Sequence, residues 1–126
     1  MSISSIHAAL FGLGSDLAGE LQTPLRKLCG NVELIHWSPD ENDFEKIALS
    51  QAQVIFCDAK SGVVSQLRKT NPQAHIVVVS RHPEVTDWLD AIEAGAADYC
   101  AAPFETSQVR WILDSSMRAA KLALAA

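Results

Sequence analysis

Cysteine is scarce in this chain: three residues, Cys29, Cys57 and Cys100, stand far apart and form no C-x-x-C pair. Metal-ligand spacing is therefore missing, and buried reduced thiols are the expected state. Excess positive charge is absent as well. The formal net charge is −5 and no basic patch stands out, which argues against direct nucleic-acid binding. No stretch approaches about 18 apolar residues, and no basic segment precedes the first short apolar run, so neither a membrane span nor a secretory leader is expected. The cytoplasm is the default location. A Walker-type Gly-Lys-Ser/Thr is missing. His7, His36, His75 and His82 flank different elements without helical or hairpin spacing, so none reads as a metal ligand.

What is present is the composition of an ordinary globular protein, 48% apolar and 20% charged, in a chain of 126 residues that suits one core. No repeat, low-complexity tract or linker interrupts it. Residues 1–126 read as a single domain, with about 115–126 as a linker-like extension of the last helix.

Strand and helix patterns alternate five times. "IHAALFGL" (6–13) is a short apolar run that stops at glycine. Ser15 or Asp16 can cap the helix that follows, with Leu17, Leu21, Leu25 and Leu28 at helical spacing. Pro24 inside that pattern should kink the helix or shift its start. "NVELIHW" (31–37) alternates like a strand, and Asp40 can cap a helix bearing Phe44, Ile47 and Ala48 on one face. "AQVIFCDA" (52–59) is an apolar strand ending at Asp58. After a short helix comes "HIVVVS" (75–80), and Pro83 suits the first turn of the next helix, with Trp88, Leu89 and Ile92 inward and Gly95 past its end. "DYCAA" (98–102) and a helix from 107 to about 124 complete the series.

Strands apolar on both faces and separated by helices imply a parallel sheet covered on both sides, a doubly wound α/β fold. In such sheets chemistry gathers at the carboxyl ends of the strands. The glycines at 12 and 14 would serve a dinucleotide cradle only with a third glycine, yet Leu17 stands there. The acidic residue expected at the end of the second strand is also replaced, by Trp37 and Ser38. A tight turn is the better reading of the glycines, with small-molecule binding at that edge as an alternative.

Read from Asp58 onward, "VIFCD", "VVVS" and "AIEAGAADYCAAPF" (91–104) resemble the receiver domain of bacterial two-component response regulators. The resemblance implies a flavodoxin-like (βα)5 fold with a five-stranded parallel sheet and helices on both faces. It also implies a role for each matching position. Asp58 holds the phosphoacceptor place, Ser80 the hydroxyl that senses the phosphoryl group, and Tyr99 the aromatic that swings on activation. The metal-binding acidic pair is replaced by Gly12 and Leu13, and the lysine before Pro-Phe by Ala102. The loop "DAKSG" is shortened. The resemblance is therefore to an atypical, or pseudo-, receiver.

Phosphoryl transfer to a carboxylate crowds negative charges, and the metal and lysine exist to neutralise them. Asp58 alone is a poor Mg²⁺ cage, and losing one such stabilising element often costs about a hundredfold in rate. Mg²⁺ binding and efficient phosphorylation are not expected. Asp58 is either a residual phosphoacceptor for a histidine kinase or an acid that caps a neighbouring turn. Lys60 is either a solvated loop lysine or a built-in cation folded back on Asp58.

With switch chemistry gone, function falls to surfaces, and a non-enzymatic signalling module is expected. In receivers the face made by the fourth helix, fifth strand and fifth helix commonly docks partners or dimerises. Here the fourth helix region carries Glu84, Asp87, Asp90 and Glu93, while the last helix carries Arg110, Arg118 and Lys121. These can pair across a two-fold axis or remain solvated faces. Val109, Ile112 and Leu113 look inward, leaving Trp111 near the edge, whereas Trp88 reads as core. The Ala-rich C-terminal helix is similar to that of receivers in ATPase-type transcriptional activators, where such an extension often leads into a linker; an N-terminal module of a larger regulator and a stand-alone receiver are both open.

Overall fold

The computed structural model describes residues 6–29, 31–35, 52–58, 63–81 and 85–125. Five strands, β1 (His7–Phe11), β2 (Asn31–Ile35), β3 (Val54–Asp58), β4 (His75–Ser80) and β5 (Asp98–Ala101), form one sheet in the order β2-β1-β3-β4-β5. Every pairing is parallel. Four helices are described: α1 (Ser15–Leu28), α2 (Val63–Thr70), α3 (Val85–Ala94) and α4 (Thr106–Ala125). The helix expected after Asp40 lies outside the described residues, as do Trp37 and Lys60.

Period-two alternation divides β1, β3 and β4 between two cores. Ala8, Leu10, Val54, Phe56, Val77 and Val79 pack with Ala18, Leu21 and Leu25 of α1 and with Val109, Ile112 and Leu113 of α4. Their neighbours Ala9, Phe11, Ile55, Cys57, Ile76 and Val78 face α2 (Val63, Val64, Leu67) and Ala91 of α3. The fold is thus a doubly wound α/β sheet with helices on both faces. Burying one large side chain in such a layer contributes roughly 1.5–3 kcal/mol, which is why β-branched strands without a polar face are stable only here.

Local chemistry sets the joints. α2 closes where the Asn71 side-chain amide donates to Leu67 O at 3.2 Å, and Arg68 Nη1 then donates to Ala74 O at 3.1 Å, tying the helix to the start of β4. Gly95 ends α3 at φ +114°, and a Cβ there would sit 3.1 Å from Cγ of Arg68. The positive φ favours glycine, and an added Cβ would also have to displace the Arg68 side chain by a few tenths of an ångström.

Three expectations need correction. The N-cap of α1 is Gly14, with no side-chain cap bond; Ser15 is already helical, because the turn at Gly12 brings the chain into the helix one residue earlier. Pro24 does not shift the start of α1. It sits within the helix and is buried, on the face that carries Leu21 and Leu25, so packing offsets the hydrogen bond it cannot donate. On α3, Trp88, Leu89 and Ile92 are not inward: they are 46%, 49% and 40% exposed, whereas Ala91 is 6% exposed. The helix lays its small residue on the sheet, which turns the neighbouring large side chains outward.

Candidate functional site at the carboxyl edge of the sheet

Strand register assembles the edge. Phe11 pairs with Cys57, so Gly12 follows β1 beside the end of β3, and Asp58 in turn pairs with Val79. Ser80 pairs with Ala101, and the Ala102 amide donates to Ser80 O at 2.9 Å. Gly12, Leu13, Asp58, Ser80 and Ala102 therefore belong to one edge, around the point where the chain crosses from β2 past β1 to β3. That is the switch in strand order where open α/β sheets place ligands. Asp58, Ser80 and Ala102 are partly buried.

The turn after β1 decides what this edge can hold. Gly12 has φ 68°, a left-handed conformation that gives glycine a steric reason to be there without any phosphate. Leu13 is 7% exposed and belongs to the core cluster with Ala18, Leu21 and Val109. The β1 end thus presents no carboxylate, and its second position faces hydrocarbon. Among the described residues, no group of three or more His, Cys, Asp or Glu is placed to hold a metal ion. Of the described strand-end residues Gly12, Leu13, Asp58, Ser80 and Ala102, Asp58 alone carries a carboxylate, and Mg²⁺ favours carboxylate and phosphate oxygens.

Next to Asp58, the thiol of Cys57 is pushed up to about 12 by burial, with the Asp58 charge adding to the effect. Cys100 is likewise raised to about 12 by burial, and then by Asp98. All three cysteines are buried and free, so they behave as core residues.

Two features escaped the sequence reading. Arg81, one residue past Ser80, reaches Glu20 of α1 with Nη2 2.8 Å from Oε2. The alternation of β4 explains it: Val77 and Val79 face α1, and Arg81 continues that phase. Tyr99, packed against the α3-side core, has its hydroxyl buried without a hydrogen-bond partner among the described residues. Of the surface residues singled out, Trp111 is 58% exposed, and Arg110, Arg118 and Asp90 are exposed. Asp87 lies on α3.

No family model matches the chain. The alginate biosynthesis transcriptional regulatory protein AlgB of Pseudomonas syringae pv. tomato is 38% identical over 71 residues, 49% of this chain and 16% of that protein. AlgB of Pseudomonas putida is 40% identical over 48 residues, 38% of this chain and 11% of that protein. The matched segment is thus a small part of these relatives. Solved structures cover far more of the chain. NtrX from Brucella abortus, crystallised with ADP, superposes with a TM-score of 0.77 at 17% identity, over 98% of this chain and 28% of that one. A two-component response regulator from Clostridium difficile gives 0.73 at 17% identity, over 90% and 97%. The fold is that of a response-regulator receiver domain. A CheY-like protein, TadZ of Pseudomonas aeruginosa, shares it with a TM-score of 0.71 at 15% identity, over 89% of this chain and 99% of that one. Among the described residues, no helix is long and apolar enough to cross a membrane.

Proposed function

We propose that this chain is a pseudo-receiver: a cytoplasmic (βα)5 signalling domain that transmits information through protein contacts, without catalysis and without phosphorylation of Asp58. One observation carries the reading. Leu13, at the place where receivers keep a metal-binding acid, is built into the hydrophobic core. Ala102 stands where the charge-neutralising lysine is needed. An attacking carboxylate at Asp58 would meet the incoming phosphoryl group with little to offset the accumulating charge.

The resemblance to AlgB, a transcriptional regulatory protein, supports a place as the regulatory module of a larger regulator. Its docking surface is the edge formed by α3, β5 and α4, and its partners are proteins. A second reading is favoured by one fact: Asp58 and Ser80 end adjacent strands. On that reading Asp58 accepts a phosphoryl group from a histidine kinase.

An amide NMR titration with Mg²⁺, then beryllium fluoride as a phosphoryl mimic, separates the two. The pseudo-receiver leaves the spectrum unchanged. Shifts centred on Asp58 and Ser80 and spreading to Tyr99 would establish the phosphoacceptor instead.

A further inference from the structure

The amino edge of the sheet, at the far end of the strands from Asp58, holds a titratable group that the proposed function does not use. His75 opens β4 and is partly buried. Its Nε2 is sealed from solvent with no hydrogen-bond partner among the described residues. Buried polar atoms are nearly always paired, so an enclosed imidazole nitrogen left alone calls for a reason.

Strand phase shows what surrounds it. Val77 and Val79 belong to the core covered by α1 and α4, and His75 continues their phase. Val77 pairs with Asp98, so Asp98, which opens β5, lies on the same face. On the other side His75 pairs with Val54 of β3, which is apolar. α1 and α4 bring Leu25, Cys29, Leu113 and Met117 to this core. None of these is charged, since burial raises the Cys29 thiol and keeps it protonated.

Burial lowers the pKa of the His75 ring from its ordinary 6.5; Asp98 pulls it the other way, and Arg68 of α2 adds to the lowering. Both charges are already engaged in the joint between the strands. Asp98 Oδ1 accepts the Tyr99 N–H at 2.8 Å, and Arg68 Nη1 donates to Ala74 O, one residue before the ring, at 3.1 Å. A cation at His75 would draw Asp98 away from Tyr99 and face Arg68 with like charge. β5 is the terminal strand and pairs with β4 alone, so it has the least to hold it when this joint is disturbed.

We propose that His75 is an acid-operated latch on β5: the neutral ring seals the amino edge, and a proton taken up from solvent opens the joint between β4 and β5. The sign follows from the burial. The sealed state is at full stability above the ordinary 6.5 and loses it as pH falls from there through the lower folded value. The latch operates whether or not Asp58 accepts a phosphoryl group.

Histidine NMR of the full chain from pH 8 to pH 5 is the first test. The His75 ring, assigned through its own backbone amide, titrates below 6.5. Asp98→Asn keeps an oxygen for the Tyr99 N–H but removes the charge that favours the cation, so the ring titrates lower still. Hydrogen exchange, corrected for intrinsic amide rates, is the second. Between pH 7.5 and pH 5.5 the protection of the β5 amides falls by up to about tenfold per pH unit, the limit for one proton, while β1 and β3 lose less. In His75→Gln that fall is absent.

A His75 ring that titrates at or above 6.5 overturns the latch. So does β5 protection that follows one pH course in the parent and in His75→Gln. An equal loss throughout the sheet overturns the local opening, and a ring indifferent to Asp98→Asn removes Asp98 from it. The beryllium fluoride titration bears on the proposed function alone.

Discussion

Replacing Leu13 by aspartate would put back an acid that the resemblance leads one to expect, and the structure says the fold will resist it. Leu13 is 7% exposed within the α1–α4 core. Removing its side chain forfeits roughly 1.5–3 kcal/mol of apolar burial. The new carboxyl must also be held protonated in the folded state, and each pKa unit of upward displacement costs about 1.4 kcal/mol at neutral pH. Staying protonated at pH 7 against an unfolded carboxyl near 3.9 takes about three such units, so together the loss is about 6–7 kcal/mol, against a typical total stability of about 5–15 kcal/mol. The melting temperature should fall by roughly 20–30 °C. The sign of the pH dependence follows from the same burial. The folded state keeps a proton that the unfolded state releases, so the deficit grows as pH rises through the unfolded carboxyl range and shrinks as pH falls. Urea unfolding at pH 7 and pH 5, with and without Mg²⁺, measures this, with Leu13→Ala as a control lacking the pH term. A Leu13→Asp variant as stable as the parent at pH 7, or stabilised by Mg²⁺, would show that position 13 opens onto a polar pocket and would refute the reasoning.

The two glycines of the first turn should respond in opposite ways. Gly12→Ala must hold φ 68° with a Cβ, a loss of roughly 1–2 kcal/mol. Gly14→Ser adds a side chain in open space at an extended N-cap that lacks a side-chain bond, a gain of a few tenths of a kcal/mol; urea midpoints report both. Cys57 and Cys100 should resist iodoacetamide in the native protein at pH 8. Their thiols at about 12, against an ordinary 9.0, leave about a thousandfold less thiolate, whereas in urea all three cysteines label, as intact mass will show.

Much of the fold was legible because strand composition speaks directly. The run "HIVVVS" became β4 over the same six residues, and its absence of a polar face foretold helices on both sides. The inward set on α4, Val109, Ile112 and Leu113, also followed from simple spacing. Helix α3 failed for an instructive reason. Hydrophobicity ranks Trp88, Leu89 and Ile92 as core, but helix-to-sheet distance is set by the smallest residue at the contact, and Ala91 occupies it. At the site, which residues stand at strand ends could be read from the sequence. That Leu13 turns into the core, and that Arg81 crosses to Glu20, depended on the phase in which each chain segment leaves its strand.

The way α3 sits on the sheet also bears on its motion. Among its described side chains from Trp88 to Ala94, only Ala91 is buried, so this stretch removes little apolar area from water on its inner side. Opening free energies within a fold follow the area each segment buries. In the isolated chain, the amides of α3 should therefore exchange with solvent sooner than those of α4, whose Val109, Ile112 and Leu113 are anchored. A partner that covered Trp88 and Ile92 would supply the burial that the sheet does not, and slower exchange of the α3 amides would report its docking.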